Sequence, residues 1–145
     1  MTQENKDLLL KDLCARLPYD VKVNCNDKVY NFTSIHSFNI CILTDDNKNN
    51  AFTTAGIKYV KPYLFPLSSM SEEQKYEFYL RFIVKDCDCV FDYFKFCLDN
   101  GKWHKLLTSL LAVEEIIDWF HKNHIDYRGF IPMGLAIDAT GLNIY

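Results

Sequence analysis

The chain reads as an α+β protein, with a small antiparallel sheet of three to five strands packed against three or four helices in a single domain over residues 1–145. Three observations predict this. Apolar residues recur at helical spacing from Gln3 to Leu17, the period drops to two from Asp20, and helical spacing returns after a capping sequence at Ser71. Strands bracketed by helices, rather than strictly alternating with them, mark α+β over α/β.

The first helix runs from about Gln3 to Leu17, with Leu9, Leu10, Leu13, Cys14 and Leu17 on one stripe and Pro18 as its stop. From Asp20, Val21, Val23 and Cys25 alternate with Lys22 and Asn24. Asn26-Asp27-Lys28 then supplies turn chemistry before Val29, Tyr30 and Phe32, which predicts a hairpin. A further strand is expected over Asn39–Leu43, followed by an exposed loop from Thr44 to Asn50. The stretch from Ile57 to Pro66 has strand composition, but Pro62 and Pro66 lack a donor, so it is expected as an edge strand followed by an extended connector.

Ser71-Glu72-Glu73-Gln74 matches a capping box, in which serine and glutamine side chains satisfy each other's backbone N–H, and it opens a helix carrying Tyr76, Tyr79, Phe82 and Ile83. A second aromatic run, Val90 to Cys97, is read as helical before Asn100-Gly101, with a strand over 87–97 as the open alternative. The last long helix is expected over Ser109–Asn123, burying Leu110, Val113, Ile116, Ile117 and Phe120. Residues 124–145 read as a turn, a short helical piece near Pro132 to Ile137, and a loose tail.

A length of 145 residues can bury a core without staples. The net charge of -3, with both signs mixed along the chain, gives no electrostatic footprint for duplex DNA. The six cysteines mostly occupy apolar positions of periodic segments, which predicts reduced thiols rather than a disulfide framework. The first residues have no basic, apolar leader pattern and no run approaches a membrane span, so the expectation is a cytoplasmic protein with no membrane partner.

Motifs for chemistry are sparse. Cys87-x-Cys89 with His104 and His121-x-x-His124 fits structural zinc poorly, because paired cysteines need more residues between them to converge on one ion. The five glycines form no phosphate loop, and adjacent carboxylates such as Glu72/Glu73 point apart on a helix. No metal, cofactor or catalytic residue is assigned. Two segments carry binding chemistry. Lys58, Tyr59, Lys61 and Tyr63, followed by Ser68 and Ser69, combine cations, rings and hydroxyls, although Lys and Pro would equally guard an edge strand. Asp126-Tyr127-Arg128-Gly129 offers a guanidinium fork for a phosphate or carboxylate, or for a local clasp with Asp126.

Lys61-Pro62-Tyr63-Leu64, Pro66 through Glu73, Asp118-Trp119-Phe120, His124, Asp126-Tyr127-Arg128-Gly129 and Gly134-Leu135-Ala136-Ile137, with Asp12 through Pro18, form a pattern. It resembles a family of small uncharacterised proteins from gut Bacteroidales genomes and their phages. The region 87–107 departs from that pattern in being unusually aromatic. The resemblance implies a phage or mobile-element accessory protein and no particular chemistry.

The expected function is therefore non-enzymatic binding inside the bacterial host cell, countering host defence by sequestering a nucleotide-type signal or occupying a host protein. For a nucleotide, Tyr59, Tyr63 and Trp119 are the candidates for stacking, Lys58, Lys61 and Arg128 for phosphate, and Ser68 and Ser69 for hydroxyl contacts. Two other classes compete. A small hydrolase using Cys87 or Cys89 with a histidine requires a thiol of depressed pKa. An interaction module would use exposed aromatics as a homo-oligomer or partner interface.

Overall fold

A computed structural model describes residues 1–36, 40–45, 51–82 and 113–145. Helix α1 (Gln3–Arg16) leads through a 3₁₀ turn at Leu17–Tyr19 into β1 (Lys22–Cys25), β2 (Lys28–His36), β3 (Ile40–Asp45) and β4 (Ala51–Gly56). A second 3₁₀ turn (Ile57–Tyr59) precedes β5 (Val60–Pro66) and a third (Leu67–Ser69) precedes α2 (Glu72–Phe82). Helix α3 (Val113–Lys122) and the short strands β6 (Ile125–Asp126) and β7 (Ile137–Asp138) follow. The aromatic run from Val90 to Cys97 and the start expected for the last helix lie outside the described residues.

The fold is α+β, but the sheet is larger than the three to five strands expected, and it is mixed rather than antiparallel. Seven strands run in the order β4-β3-β2-β1-β5-β6, with β7 also paired to β5. The β1–β4 meander and the β1/β5 pair are antiparallel, whereas β6 and β7 join β5 in parallel. Pairs of two residues carry too short a pattern to be read from sequence. Strand β4, Ala-Phe-Thr-Thr-Ala-Gly, has no apolar alternation to announce it.

The expected hairpin forms. Asn26 and Asp27 both have positive φ, 52° and 61°, and the flanking pair Cys25↔Lys28 closes a two-residue loop of the kind that matches strand twist. Asn and Asp tolerate the left-handed region better than other side-chain-bearing residues.

Strand β5 is not an edge. It lies between β1 and β6, and both prolines sit within it. They are tolerated because each falls where a paired stretch ends: Pro62 faces Val23 at the last register of the β1 ladder, and Pro66 faces Asp126 at the last register of β6.

One face of the sheet is buried against α1. Val23, Cys25, Phe32, Cys41, Leu43 and Val60 pack with Leu9 and Leu13 of α1. A bulge between Phe32 and Ser34 preserves this division, because Thr33 is the extra residue and Ile35 still faces Cys41 on the core side. A second cluster joins Phe78 and Tyr79 of α2 to Ile116, Trp119 and Phe120 of α3, with Met70 and Ile125. Ser71 and Gln74 form the expected capping box, with Gln74 N–H donating to Ser71 Oγ at 3.1 Å and Ser71 N–H to Gln74 Oε1 at 3.0 Å.

Two local expectations fail. Cys14 is exposed, and Asp12 and Arg16 take places on the buried stripe of α1. No helical piece occurs near Pro132: Asp126 accepts from the Phe130 and Ile131 N–H groups, both at 2.8 Å, and tight turns follow to Gly134 (φ 70°). Nor is the following segment loose. The Tyr145 hydroxyl donates to the Tyr63 carbonyl at 2.7 Å and accepts from Lys22 N–H at 3.2 Å, and its ring stacks on His124 at 3.8 Å.

Candidate functional site

The eight residues singled out for ligand binding fall in several places. Lys58 and Tyr59 lie together in the 3₁₀ turn before β5, with the ammonium 4.6 Å from the ring centroid, a cation–π distance. Tyr59 is 57 % exposed. Its ring borders a concavity of ≈ 330 Å³ that Asn26, Tyr30, Thr53, Thr54, Ala55 and Cys25 also line. Three elements build this place: the β1–β2 turn supplies the amide, β2 the second ring and β4 the hydroxyls. Gly56 turns the chain from β4 into the 3₁₀ segment, and Tyr59 lies close over it, 3.8 Å from where a Cβ would sit.

Lys61 and Tyr63 are elsewhere. Lys61 faces Asn24 across the β1/β5 ladder, while the Val60 and Pro62 on either side of it are buried. Lys61 and Tyr63 therefore project from the sheet face opposite α1. The Tyr63 ring is buried, and its hydroxyl accepts from Asn24 Nδ2 at 3.0 Å. Ser68 is exposed, and Ser69 Oγ donates to the Pro66 carbonyl at 2.7 Å, closing the turn into α2. Trp119 is 2 % exposed, edge-on to Phe78, with its indole N–H given to Glu77 at 3.1 Å. Its faces belong to the core.

Arg128 does not clasp Asp126. Its Nε donates to Asp12 Oδ1 at 3.2 Å, and the guanidinium lies 4.8 Å from the Tyr127 ring centroid. Asp126 is occupied by the backbone donors of Phe130 and Ile131.

Asp12 is the hub of a buried ionic group. Arg16, one turn along α1, donates Nε to Asp12 Oδ2 at 2.6 Å, and His121 Nε2 stands 3.6 Å from Asp12 Oδ1 and 3.0 Å from the Tyr127 hydroxyl. Burial pushes the Asp12 carboxyl up, but His121 and the Arg16 guanidinium outweigh it, and the carboxyl is held below its ordinary value. Arg16 also donates to the carbonyls of Phe120 and His121 at the end of α3, both at 3.5 Å, and of Ile125 at 2.9 Å. Phe120 and His121 lie in the last turn of α3, where carbonyls lack intrahelical donors, although His121 C=O also accepts from His124 N–H at 3.1 Å, and Ile125 begins β6. With Asp12 and Arg16 both 0 % exposed, the group is a joint between α1 and α3 rather than a surface that meets a substrate.

Among the described cysteines, Cys25 and Cys41 are buried and their thiols are pushed up by burial, Cys41 to about 12. Neither is poised as a thiolate nucleophile. Cys87 and Cys89 lie outside the described residues. Among the described residues no helix is long and apolar enough to cross a membrane, and no cluster of metal-ligating side chains occurs.

Sequence reasoning missed Tyr30, Thr53 and Thr54 as neighbours of Tyr59, since only the unread strand β4 brings them there. The Asp12/Arg16 pair did carry a signal, the i,i+4 spacing of opposite charges on a helix. Comparison with protein-family models, curated proteins and solved structures finds no match to this chain.

Proposed function

We propose that the protein is a non-enzymatic binding protein that holds a nucleotide-type ligand beside Tyr59 and returns it unchanged. The observation that carries this reading is that Tyr30, Tyr59, Asn26, Thr53 and Thr54 line one concavity of ≈ 330 Å³, with Lys58 at the Tyr59 ring. A ring of this kind offers a stacking surface to any base, the amide and hydroxyls suit base-edge and ribose hydrogen bonds, and the lysine neutralises phosphate. The size falls within the range of small-molecule sites. The resemblance to phage-associated proteins supports an accessory role in a host cell and does not itself indicate the ligand.

Titration calorimetry of the purified chain with mono- and cyclic nucleotides, followed by chromatography of the recovered ligand, tests the reading. One equivalent bound and recovered intact supports it. Turnover at substoichiometric protein would identify an enzyme instead. A chain that binds no nucleotide but copurifies with a host protein would favour the interaction-module reading.

A further inference from the structure

A second concavity, of ≈ 620 Å³, shares no lining residue with the Tyr59 site; outward-facing residues of the sheet line it together with Leu17 and the core residue Phe32. Its position follows from register. Lys22 faces Asn31, Asn31 faces Thr44 and Thr44 faces Phe52, so four side chains form one row across β1 to β4. The next row, through Val23, Tyr30 or Phe32 and Leu43, points to the core, and directly paired residues share a face. The bulge places Thr33 beside this row, with its hydroxyl 3.2 Å from that of Thr44. Asp20 closes one end.

We infer that this cleft binds a neutral, polyhydroxylated small molecule of the pyranose-sugar class. Three features select it. Lys22 and Asp20, one cation and one anion, leave the lining without net charge, so nothing here favours a phosphate over a neutral ligand. Thr33 and Thr44 share one hydrogen bond between them, which leaves a free O–H donor and several lone pairs for a ligand that both donates and accepts at each hydroxyl. Phe52, 71 % exposed at the end of the row, presents an apolar ring at the rim, the complement of the C–H face of a pyranose. A few fixed polar groups beside an apolar platform in a cleft of this size are the ordinary make-up of a small-ligand site.

The test is saturation-transfer NMR of the whole chain with D-glucose and N-acetyl-D-glucosamine at millimolar concentration, with adenosine 5′-monophosphate as the charged comparison. Transfer to the ring C–H protons of at least one sugar is expected, with binding weakened about tenfold by Phe52→Ala and by Thr44→Val, a factor equal to a single contact of about 1.4 kcal/mol. Tyr59→Ala should leave sugar binding unchanged while weakening nucleotide binding, so the two sites fail separately. Because Phe52 is exposed, its truncation leaves the core intact, and circular dichroism of each variant checks this. The inference is overturned by the absence of transfer to either sugar, by transfer that both cleft variants leave undiminished, or by displacement of the sugar with adenosine 5′-monophosphate in the Tyr59→Ala variant.

Discussion

Arg16 binds Asp12 one helical turn away and, with another nitrogen, the Ile125 carbonyl at 2.9 Å, so a single buried guanidinium ties α1 to the chain reversal after α3. Arg16→Met leaves Asp12 charged and under-neutralised and removes the side-chain donor of the Phe120 and Ile125 carbonyls. Urea unfolding should show a loss of about 3–5 kcal/mol, the range for breaking one partner of a buried pair. Arg16→Lys should recover little of it, since an ammonium cannot span carboxylate and carbonyls as the planar fork does.

Acid should weaken the fold in two stages. The His124 imidazole, stacked under Tyr145 with its Nδ1 buried and without a hydrogen-bond partner, is pushed down from 6.5 to about 4 by burial, then by the charge of Arg16. Its folded pKa is depressed, so below 6.5 the unfolded chain takes up a proton that the folded chain refuses. Stability falls between pH 6.5 and about 4. Asp12, also held low, adds a second loss once the pH drops below its ordinary value of 3.8. His124→Asn, which tolerates the φ of 53°, should flatten the first stage in denaturation curves taken across that range and leave the second.

Ser71→Ala removes the acceptor for Gln74 N–H and should cost about 1 kcal/mol of unfolding free energy. Ser71→Asp should be close to neutral, because a carboxylate accepts the same bond and suits the positive end of α2.

Timed alkylation followed by peptide mass spectrometry should label Cys14 first among Cys14, Cys25 and Cys41, with Cys25 and Cys41 reacting only on unfolding. Rapid labelling of Cys25 or Cys41 in the native protein would contradict their burial.

Tyr59→Ala should weaken nucleotide binding by about 1–3 kcal/mol, the worth of one base–aromatic stack. Lys58→Ala should weaken it less and make it less sensitive to salt, since an exposed cation acts through screened charge. Calorimetry at two ionic strengths separates these effects. Equal loss in both variants, independent of salt, would argue against the division of roles.

The features legible in the sequence are those set by neighbours along the chain. The Ser71/Gln74 cap, the Asn26-Asp27 turn and the helical stripe through Leu9 and Leu13 each need only a few consecutive residues, and each is present as read. What was not legible depends on distant pairing. Prolines 62 and 66 argue locally for an edge, and only the points where β1 and β6 stop pairing make them harmless inside the sheet. Asp12 and Arg16 look like a solvated helix pair until α3 and the turn at Asp126 are packed over them. The candidate site divided for the same reason. Lys58 and Lys61 are neighbours in sequence, but the passage from 3₁₀ turn to strand sends them to different surroundings.

The bulge in β2 has one more implication. The ladder runs Phe32↔Leu43 and then Ser34↔Ile42, so pairing passes over Thr33 altogether. Deleting that one position would heal the ladder with every neighbour keeping its inward or outward sense, whereas deleting Tyr30 or Asn31 would reverse the sense of the residues before it in the strand. Thr33 is thus a supernumerary residue, tolerated by the scaffold and displayed beside Thr44. Here the outer surface can be recast by loss or exchange of one residue while the interior stays the same.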